Sequence, residues 1–294
     1  MNKKDSSLYY FLTIYYSQGV VKHMYVKTPV VGVVGHKNSG KTTVIESIVQ
    51  ELSKRGYRVA TAKHIPQKGF SIDTERKDTW RHSMAGANPV VSVSDSETAV
   101  LIKNGEASFS LDQLLRFMPG IDVMVLEGFS KLVLDDENVG KILCVRSREE
   151  YNDFREKTRG KIIAFCSTRP MEKPNLKIKE DSQALVGRVL RYIRRKQKIS
   201  KILSRLPGLD CKKCGYSSCG EMAVAIYQRK AKLNECITLK LRSKLKTRIT
   251  VNEIEVPIQP FISEIIRKPL LGMVSCLKGV SIKGDEEIRI KITS

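Results

Sequence analysis

Acidic residues are scarce in this chain: 31 Asp and Glu stand against 52 Lys and Arg, a formal net charge of +21 over 294 residues. Aromatics are few as well, 6% with a single Trp. A surplus of cations points to an anionic partner. A protein that holds single-stranded nucleic acid, however, needs aromatic rings interleaved with its cations as stacking platforms. The most basic stretch, residues 188–248, sets 18 Lys or Arg against Asp210, Glu221 and Glu235, yet its only aromatics are Tyr192, Tyr216 and Tyr227. Nucleic acid is therefore not the expected partner; an acidic protein, or a basic face offsetting bound thiolates, fits better. Long hydrophobic runs are missing too. Leu8–Tyr16 is tyrosine-rich and far shorter than the roughly 20 residues of a bilayer-crossing helix. No small-residue cleavage pattern marks a secretory signal, so no membrane attachment and a cytoplasmic location are expected. Internal repeats and low-complexity tracts are absent.

What is present is a glycine loop between two apolar patterns. Val30, Val31, Val33 and Val34 form a short β-branched run, as in a strand buried on both faces. Val44, Ile45, Ile48, Val49 and Leu52 then recur at helical spacing. Between them, GHKNSGKTT at 35–43 fits the G-x-x-x-x-G-K-T spacing of a phosphate-binding loop. Strand, glycine loop and helix together predict that Gly35, His36, Lys37, Asn38, Ser39, Gly40, Lys41, Thr42 and Thr43 surround a nucleoside triphosphate. The glycines let backbone N–H groups converge on phosphate, the helix N-terminus adds partial positive charge, and Lys41 adds a full one. Thr42 is the candidate ligand of Mg²⁺.

Further strands are expected at Tyr57–Ala62, Pro89–Val93, Asp122–Leu126, Lys141–Val145 and Lys161–Cys166, with a hairpin joining Ala99–Ile102 to Ser108–Ser110 around Asn104-Gly105. A helix is expected over Asp181–Gln197. Alternating strands and helices imply an α/β fold with a mainly parallel sheet. Ligands of such folds lie at the C-terminal ends of the strands. Lys63 and His64, at the end of the second strand, are thus candidates for substrate contact, and Asp78 in the following loop for organising Mg²⁺ or water. Glu127 closes an apolar strand, where an acid can reach Mg²⁺ or orient the attacking water. Glu127 and Asp78 are accordingly the candidate catalytic residues, and Thr42 with Glu127 the magnesium pair.

Four of the seven cysteines, Cys211, Cys214, Cys219 and Cys236, are spaced C-x2-C-x4-C-x16-C. Four thiolates suit a 4Fe-4S cluster or structural zinc; three cysteines within one short loop favour the cluster. Cys144, Cys166 and Cys276 are expected to pack as small hydrophobes. Beyond Cys236, Leu239–Ile249 alternates apolar with basic, Thr250–Pro257 reads as a strand turning at Asn252-Glu253, Phe261–Ile266 as a helix and Glu287–Ile292 as a closing strand. The expected organisation is an arm over 1–27, with Met24 just ahead of the first strand, then a P-loop NTPase domain over 28–198. A small iron–sulfur module over 199–238 and a small α+β tail over 239–294 complete it.

The ordered series GHKNSGKTT (35–43), KH (63–64), KDTWRHSMAGA (77–87), DVMVLEGF (122–129) and KILCVR (141–146) resembles the molybdopterin-guanine dinucleotide biosynthesis protein B family (MobB). The resemblance implies a dimer that binds GTP with Mg²⁺ (ATP being the alternative) and hydrolyses it weakly at most. It also implies partners: a molybdopterin guanylyltransferase-type protein and a molybdenum or tungsten enzyme that receives the cofactor. Lys41 and Thr42 would carry the phosphate and metal roles, with Asp78 and Glu127 at the family's acidic positions. The family's EGFK reads Glu127-Gly128-Phe129-Ser130 here, and Ser167-Thr168 replaces its serine-aspartate. Residues 206–236 resemble the four-cysteine domain of corrinoid iron–sulfur proteins and Rnf-type subunits, which implies a 4Fe-4S cluster. An iron–sulfur electron-transfer protein regulated by nucleotide is the alternative reading.

Overall fold

The computed structural model describes residues 28–103, 110–171, 176–242, 247–251, 254–256 and 258–280. The chain divides into two compact units, Met1–Gln197 and Lys198–Ser294.

In the first unit, β1 (Val30–Gly35) leads through the glycine loop into α1 (Lys41–Lys54), and β2 (Val59–Lys63) follows. A short helix α2 (Asp78–Met84) precedes β3 (Val90–Val93) and β4 (Thr98–Leu101), then α3 (Leu111–Arg116) and β5 (Val123–Glu127). The unit continues with α4 (Ser130–Val133), β6 (Gly140–Cys144), α5 (Arg148–Lys157), β7 (Ile162–Ser167), β8 (Leu176–Lys177) and α6 (Ser182–Leu203), whose last residues belong to the second unit.

Six strands form one parallel sheet in the order β2-β5-β1-β6-β7-β8. The period of two along each strand divides its residues between two cores. Val31 and Val33 join Val44, Ile48, Leu52, Val189 and Ile193 on one face. Val30 and Val34 join Met124, Leu126, Leu143, Tyr151 and Phe165 on the other. Burial on both faces explains the unbroken valine run of β1, and it places Gly35 and the loop after it at the C-terminal edge of the sheet.

Cys144 and Cys166 lie fully buried in adjacent strands. Burial pushes the Cys144 thiol up to about 12, and Cys166 upward as well, so both act as small hydrophobes. Lys141 is the unusual member of this core. Its side chain is fully buried, and Nζ donates to the carbonyls of Asp136 and Arg159. Tyr192, also buried, donates to Asn138 O at 2.8 Å and to Val30 O at 3.2 Å. The two side chains add donors to backbone carbonyls at this end of the sheet, Asp136 O also accepting from Val139 N at 3.2 Å.

In the second unit, Ile199, Leu203 and Leu206 are buried. Helix α7 (Cys219–Tyr227) is capped by Ser218, whose hydroxyl accepts from Glu221 N. A 3₁₀ turn (Leu233–Glu235), α8 (Ile237–Arg242), the antiparallel pair β9 (Ile249–Val251) and β10 (Ile254–Val256), and α9 (Pro260–Ser275) complete the described part.

Several local expectations are corrected. Val90–Val93 does not join the main sheet; it pairs antiparallel with Thr98–Leu101 in a two-stranded ribbon. The turn of that ribbon comes from Ser94–Glu97, where Ser94 N donates to Glu97 O and Ser94 Oγ accepts from Ser96 N and Glu97 N. Asn104-Gly105, the expected site of the hairpin turn, lies outside the described residues. Ser110, expected in a strand, instead caps α3 in a capping box with Gln113. Part of Leu239–Ile249 is helical, in α8, and α9 extends nine residues past the expected Ile266, through Pro269. Cys276 is exposed rather than packed, its thiol donating to Gly272 O at 3.2 Å. The arm over 1–27, the turn at Asn252-Glu253 and the strand over Glu287–Ile292 lie outside the described residues.

Replacing Lys141 by Met should lower unfolding stability in urea by about 1–3 kcal/mol, the cost of losing two part-buried hydrogen bonds to the carbonyls of Asp136 and Arg159. Burial lowers the Lys141 pKa from its ordinary 10.5, so in the pH range below 10.5 the unfolded chain binds more protons at this site. Stability from Lys141 therefore rises with pH across that range. The difference between the natural protein and the variant should widen as pH rises toward 10.5.

Candidate functional site

The glycine loop is closed upon itself around one carbonyl. His36 O accepts from Lys41 Nζ at 2.7 Å and from Ser39 Oγ at 2.9 Å. Asn38 adopts φ 61° and Gly40 φ 87°, the left-handed conformations that bend the chain back into α1. Gly40 is the N-cap of α1, so the free N–H groups of the first turn, at Lys41, Thr42 and Thr43, open toward the loop. Thr43 itself accepts at its carbonyl from Ser47 Oγ, 2.9 Å away. Beside the loop, Arg146 just past β6 donates from Nη1 to Lys37 O at 3.4 Å, while Nε and Nη2 grip the Glu150 carboxylate. The His36 ring lies 5.8 Å from that of Phe154.

Space around the two glycines is limiting. A Cβ on Gly35 would stand 2.4 Å from the Cys144 carbonyl oxygen, and one on Gly40 2.3 Å from Ile178 Cδ1. These residues are glycines because backbone or core atoms fill the place of a side chain, and at Gly40 because of its positive φ as well.

Glu127 stands at the end of β5, opposite Lys63 of β2 on one side and Val33 of β1 on the other. Thr42 Oγ1 donates to Glu127 Oε1 at 3.3 Å, and Lys63 Nζ lies 3.3 Å from the same oxygen. The sheet register therefore joins three sequence-predicted residues from three separate elements. A threonine hydroxyl that gives its proton to a carboxylate keeps its lone pairs for another partner. Hard oxygen donors of this kind suit a divalent cation such as Mg²⁺. Behind Glu127, His64 N donates to Glu127 O at 3.0 Å, Gly128 N donates to Val33 O at 3.0 Å, and the His64 ring lies 5.4 Å from that of Phe129.

Asp78 is not joined to this group. It opens helix α2 with its side chain 89% exposed, and its ion partner is Arg81 of the same helix at 3.7 Å. Sequence reading passed over Arg146, although its position directly after the strand beside β1 was a usable signal. Glu150, one helical turn on, sits at the spacing that pairs with it.

The cysteines lie in the second unit. Cys219 and Cys236 are buried; Cys211 and Cys214 are half-buried. Their loop has left-handed backbone at Gly208, Asp210, Lys212 and Gly215. Asp210 Oδ1 accepts from Cys219 N at 2.7 Å, and Cys211 Sγ shares a hydrogen bond with Thr238 Oγ1 at 3.2 Å. Burial opposes ionisation of Cys211, yet hydrogen bonds from Thr238 and from the Lys213 and Cys211 backbone leave its thiol below the ordinary value. Burial raises Cys219, with Asp210 and Cys236 adding negative charge nearby. As a donor set, four thiols fit a cluster or zinc. As a geometry they do not yet form a shell: among the described residues no three His, Cys, Asp or Glu side chains are grouped to hold a metal ion.

The steric account of the loop is open to test. At Gly56, with φ 79°, a Cβ would meet no atom within 4 Å, so Gly56→Ala should cost only the left-handed penalty of about 1–2 kcal/mol. Gly40→Ala should cost that and about 1–3 kcal/mol more for overpacking against Ile178 and Thr168. Parallel urea titrations of the two variants would measure the difference.

Comparison with known proteins agrees with the order of these features. The family model described as molybdopterin guanine dinucleotide synthesis protein B matches residues 30–168. A second family model, carrying a provisional description as an Fe-S cluster, matches residues 206–238. A Methanocaldococcus jannaschii protein, provisionally named a molybdopterin-guanine dinucleotide biosynthesis adapter protein, is 28% identical over 264 residues, spanning 90% of this chain and 98% of that protein. The molybdopterin-guanine dinucleotide biosynthesis adapter protein of Haemophilus influenzae is 30% identical over 146 residues, 49% of this chain and 77% of that protein. The crystal structure of Bacillus subtilis MobB is 26% identical and covers 56% of this chain and 97% of its own, with a TM-score of 0.45. With residues 30–168 matched by the family model and the Haemophilus relative 30% identical over 77% of its length, the chain belongs to the molybdopterin-guanine dinucleotide biosynthesis protein B (MobB) family.

Proposed function

We propose that the protein is a nucleotide-binding adapter of molybdenum cofactor maturation. It binds GTP with Mg²⁺ and assists the formation or delivery of molybdopterin guanine dinucleotide. The observation that carries this reading is the Thr42–Glu127 contact at 3.3 Å beside the closed loop around His36, in a chain of this family. Backbone N–H groups of residues 36–43 and the Lys41 ammonium would hold the phosphates, and Thr42 with Glu127 would hold the cation. Held by these two residues, Mg²⁺ would supply positive charge that offsets that of the phosphates. Lys41 is already turned into the loop, bonded to a carbonyl that a phosphate oxygen would replace. Asp78 belongs to the same reading only as a residue of an exposed helix that could approach a larger ligand.

The nucleotide work is assigned to residues 28–198, and the cysteines of 199–238 to a 4Fe-4S cluster, with 239–294 as a separate small tail. The spacing of Cys211, Cys214, Cys219 and Cys236 and the match over 206–238 support the cluster. Partners on this reading are a molybdopterin guanylyltransferase-type protein and a molybdenum or tungsten enzyme. A homodimer is included, because the β3–β4 ribbon leaves Val91, Val93 and Val100 exposed, an apolar surface of the kind a second copy covers. Among the described residues no helix is long and apolar enough to cross a membrane; a cytoplasmic location is part of the same proposal. The same cysteine match favours, as a second reading, an electron-transfer protein whose nucleotide domain controls access to the cluster.

Titration of the full-length protein with fluorescent GTP and ATP analogues in the presence of Mg²⁺ tests the first assignment. Lys41→Ala should weaken binding about 10- to 100-fold, the worth of a charge-assisted hydrogen bond. No Mg²⁺-dependent binding of either nucleotide would end the proposal. Anaerobic purification tests the second assignment: iron and acid-labile sulfide in equal amounts, lost on Cys236→Ser, are expected. A colourless protein with one zinc per chain would replace the cluster by a structural metal.

A further inference from the structure

Three neighbouring strands bring their C-terminal ends to one level. β5 lies between β1 and β2, and Glu127 is in register with Val33 on one side and Lys63 on the other. One carboxylate oxygen, Glu127 Oε1, consequently meets both the Thr42 hydroxyl and the Lys63 ammonium, each at 3.3 Å. The two partners of this ion pair are held very differently. The Glu127 side chain is 15% exposed, enclosed between strands; that of Lys63 is 59% exposed, on the terminal strand of the sheet.

A divalent cation held by Thr42 and Glu127 would share that oxygen with the ammonium. Like charges drawn to one oxygen repel, and a partly buried carboxylate screens them less than water does. The acid cannot retreat, but the lysine can, because its charge rides on a flexible four-carbon stem reaching from an open edge. An incoming phosphate offers the displaced ammonium a new anionic partner.

We infer that Lys63 is a built-in counter-ion that competes with the divalent cation for Glu127 and so couples cation loading to the arrival of nucleotide phosphate. The inference rests on the reading of residues 35–43 as a nucleotide site. Lys63 acts through Glu127 and is a positioning residue. Without nucleotide, it keeps the carboxylate neutralised and in place beside Thr42. With phosphate in the loop, the ammonium transfers to the anion and frees the oxygen. Removing a positive charge from a phosphate site would then improve cation binding, the opposite of what a simple phosphate-binding lysine predicts.

The test is a Mn²⁺ titration of the full-length protein, alone and with GDP, following the free-ion signal by electron paramagnetic resonance. Lys63→Met should tighten Mn²⁺ binding about three- to tenfold, and Lys63→Arg should restore the natural value. Glu127→Gln should weaken Mn²⁺ binding, and adding Lys63→Met to that variant should change nothing further, as expected when one residue acts through the other. Circular dichroism melts should be alike for the natural protein and the exposed-site Lys63 variants. Unchanged or weaker Mn²⁺ binding by Lys63→Met would overturn the inference, as would absence of Mn²⁺ binding by every protein in both conditions. A separate GDP and GTP titration keeps the two proposals apart. Failure to bind nucleotide removes the nucleotide reading, while the Mn²⁺ titration without GDP still decides whether Lys63 and the cation compete.

Discussion

The close approach of the glycine loop to the strand beside it is the constraint on which the site depends. Gly35 has the Cys144 carbonyl oxygen and the Ser39 hydroxyl where a Cβ would be, both within 2.5 Å. Gly40 meets Ile178 and Thr168, from the far side of the sheet order, in the same way. The loop is thus clamped between β1's neighbour and the segments after β7, and its shape is set by core packing rather than by its own sequence. Interiors packed at crystal density transmit such constraints with little give. That is why a short, largely polar loop can hold a carbonyl-centred ring of donors.

Glu127 converts this rigid edge into a site with charge. It is an acid at the level of the loop that is both mostly enclosed and hydrogen-bonded to α1. Because β5 is sandwiched between β1 and β2, its end residue faces both the glycine loop and the Lys63-His64 corner. Elements far apart in sequence, Thr42 and Glu127, or Lys63 and Glu127, are therefore joined by strand register and not by loop conformation. Sites built on strands in this way are positioned more accurately than sites built on loops.

Much of this was legible in the sequence, for reasons that can be named. The valine run of β1, the loop, α1 and the acid closing β5 each obey a strong local rule: burial on both faces, glycine where no side chain fits, helical period, an acid at a strand end. What escaped depends on competition between elements. Val90–Val93 has the composition of a buried strand, but the Ser94 hydroxyl closes a turn onto Thr98–Leu101, and the ribbon that forms leaves Val93 73% exposed. Arg146 closes the KILCVR stretch, but its relation to Lys37 exists only once β6 is set beside β1. Cys276 reads like the two core cysteines in its apolar setting, yet it ends a helix that the sequence pattern had cut short at Ile266.

The second unit follows another logic. Its region of greatest positive charge holds three acids, and each is committed to backbone: Asp210 to Cys219 N, Glu221 to Ser217 N and Glu235 to Lys232 N. Through these N–H groups they shape the cysteine loop and the helix that follows. Left-handed backbone at Asp210 and Lys212 tightens the same loop. On the proposed reading, bound thiolates would add negative charge beside Lys212 and Lys213, both exposed between Cys211 and Cys214. The charge of the segment and the placement of its cysteines then become a single feature, since cations beside sulfur favour the thiolate that metal binding requires.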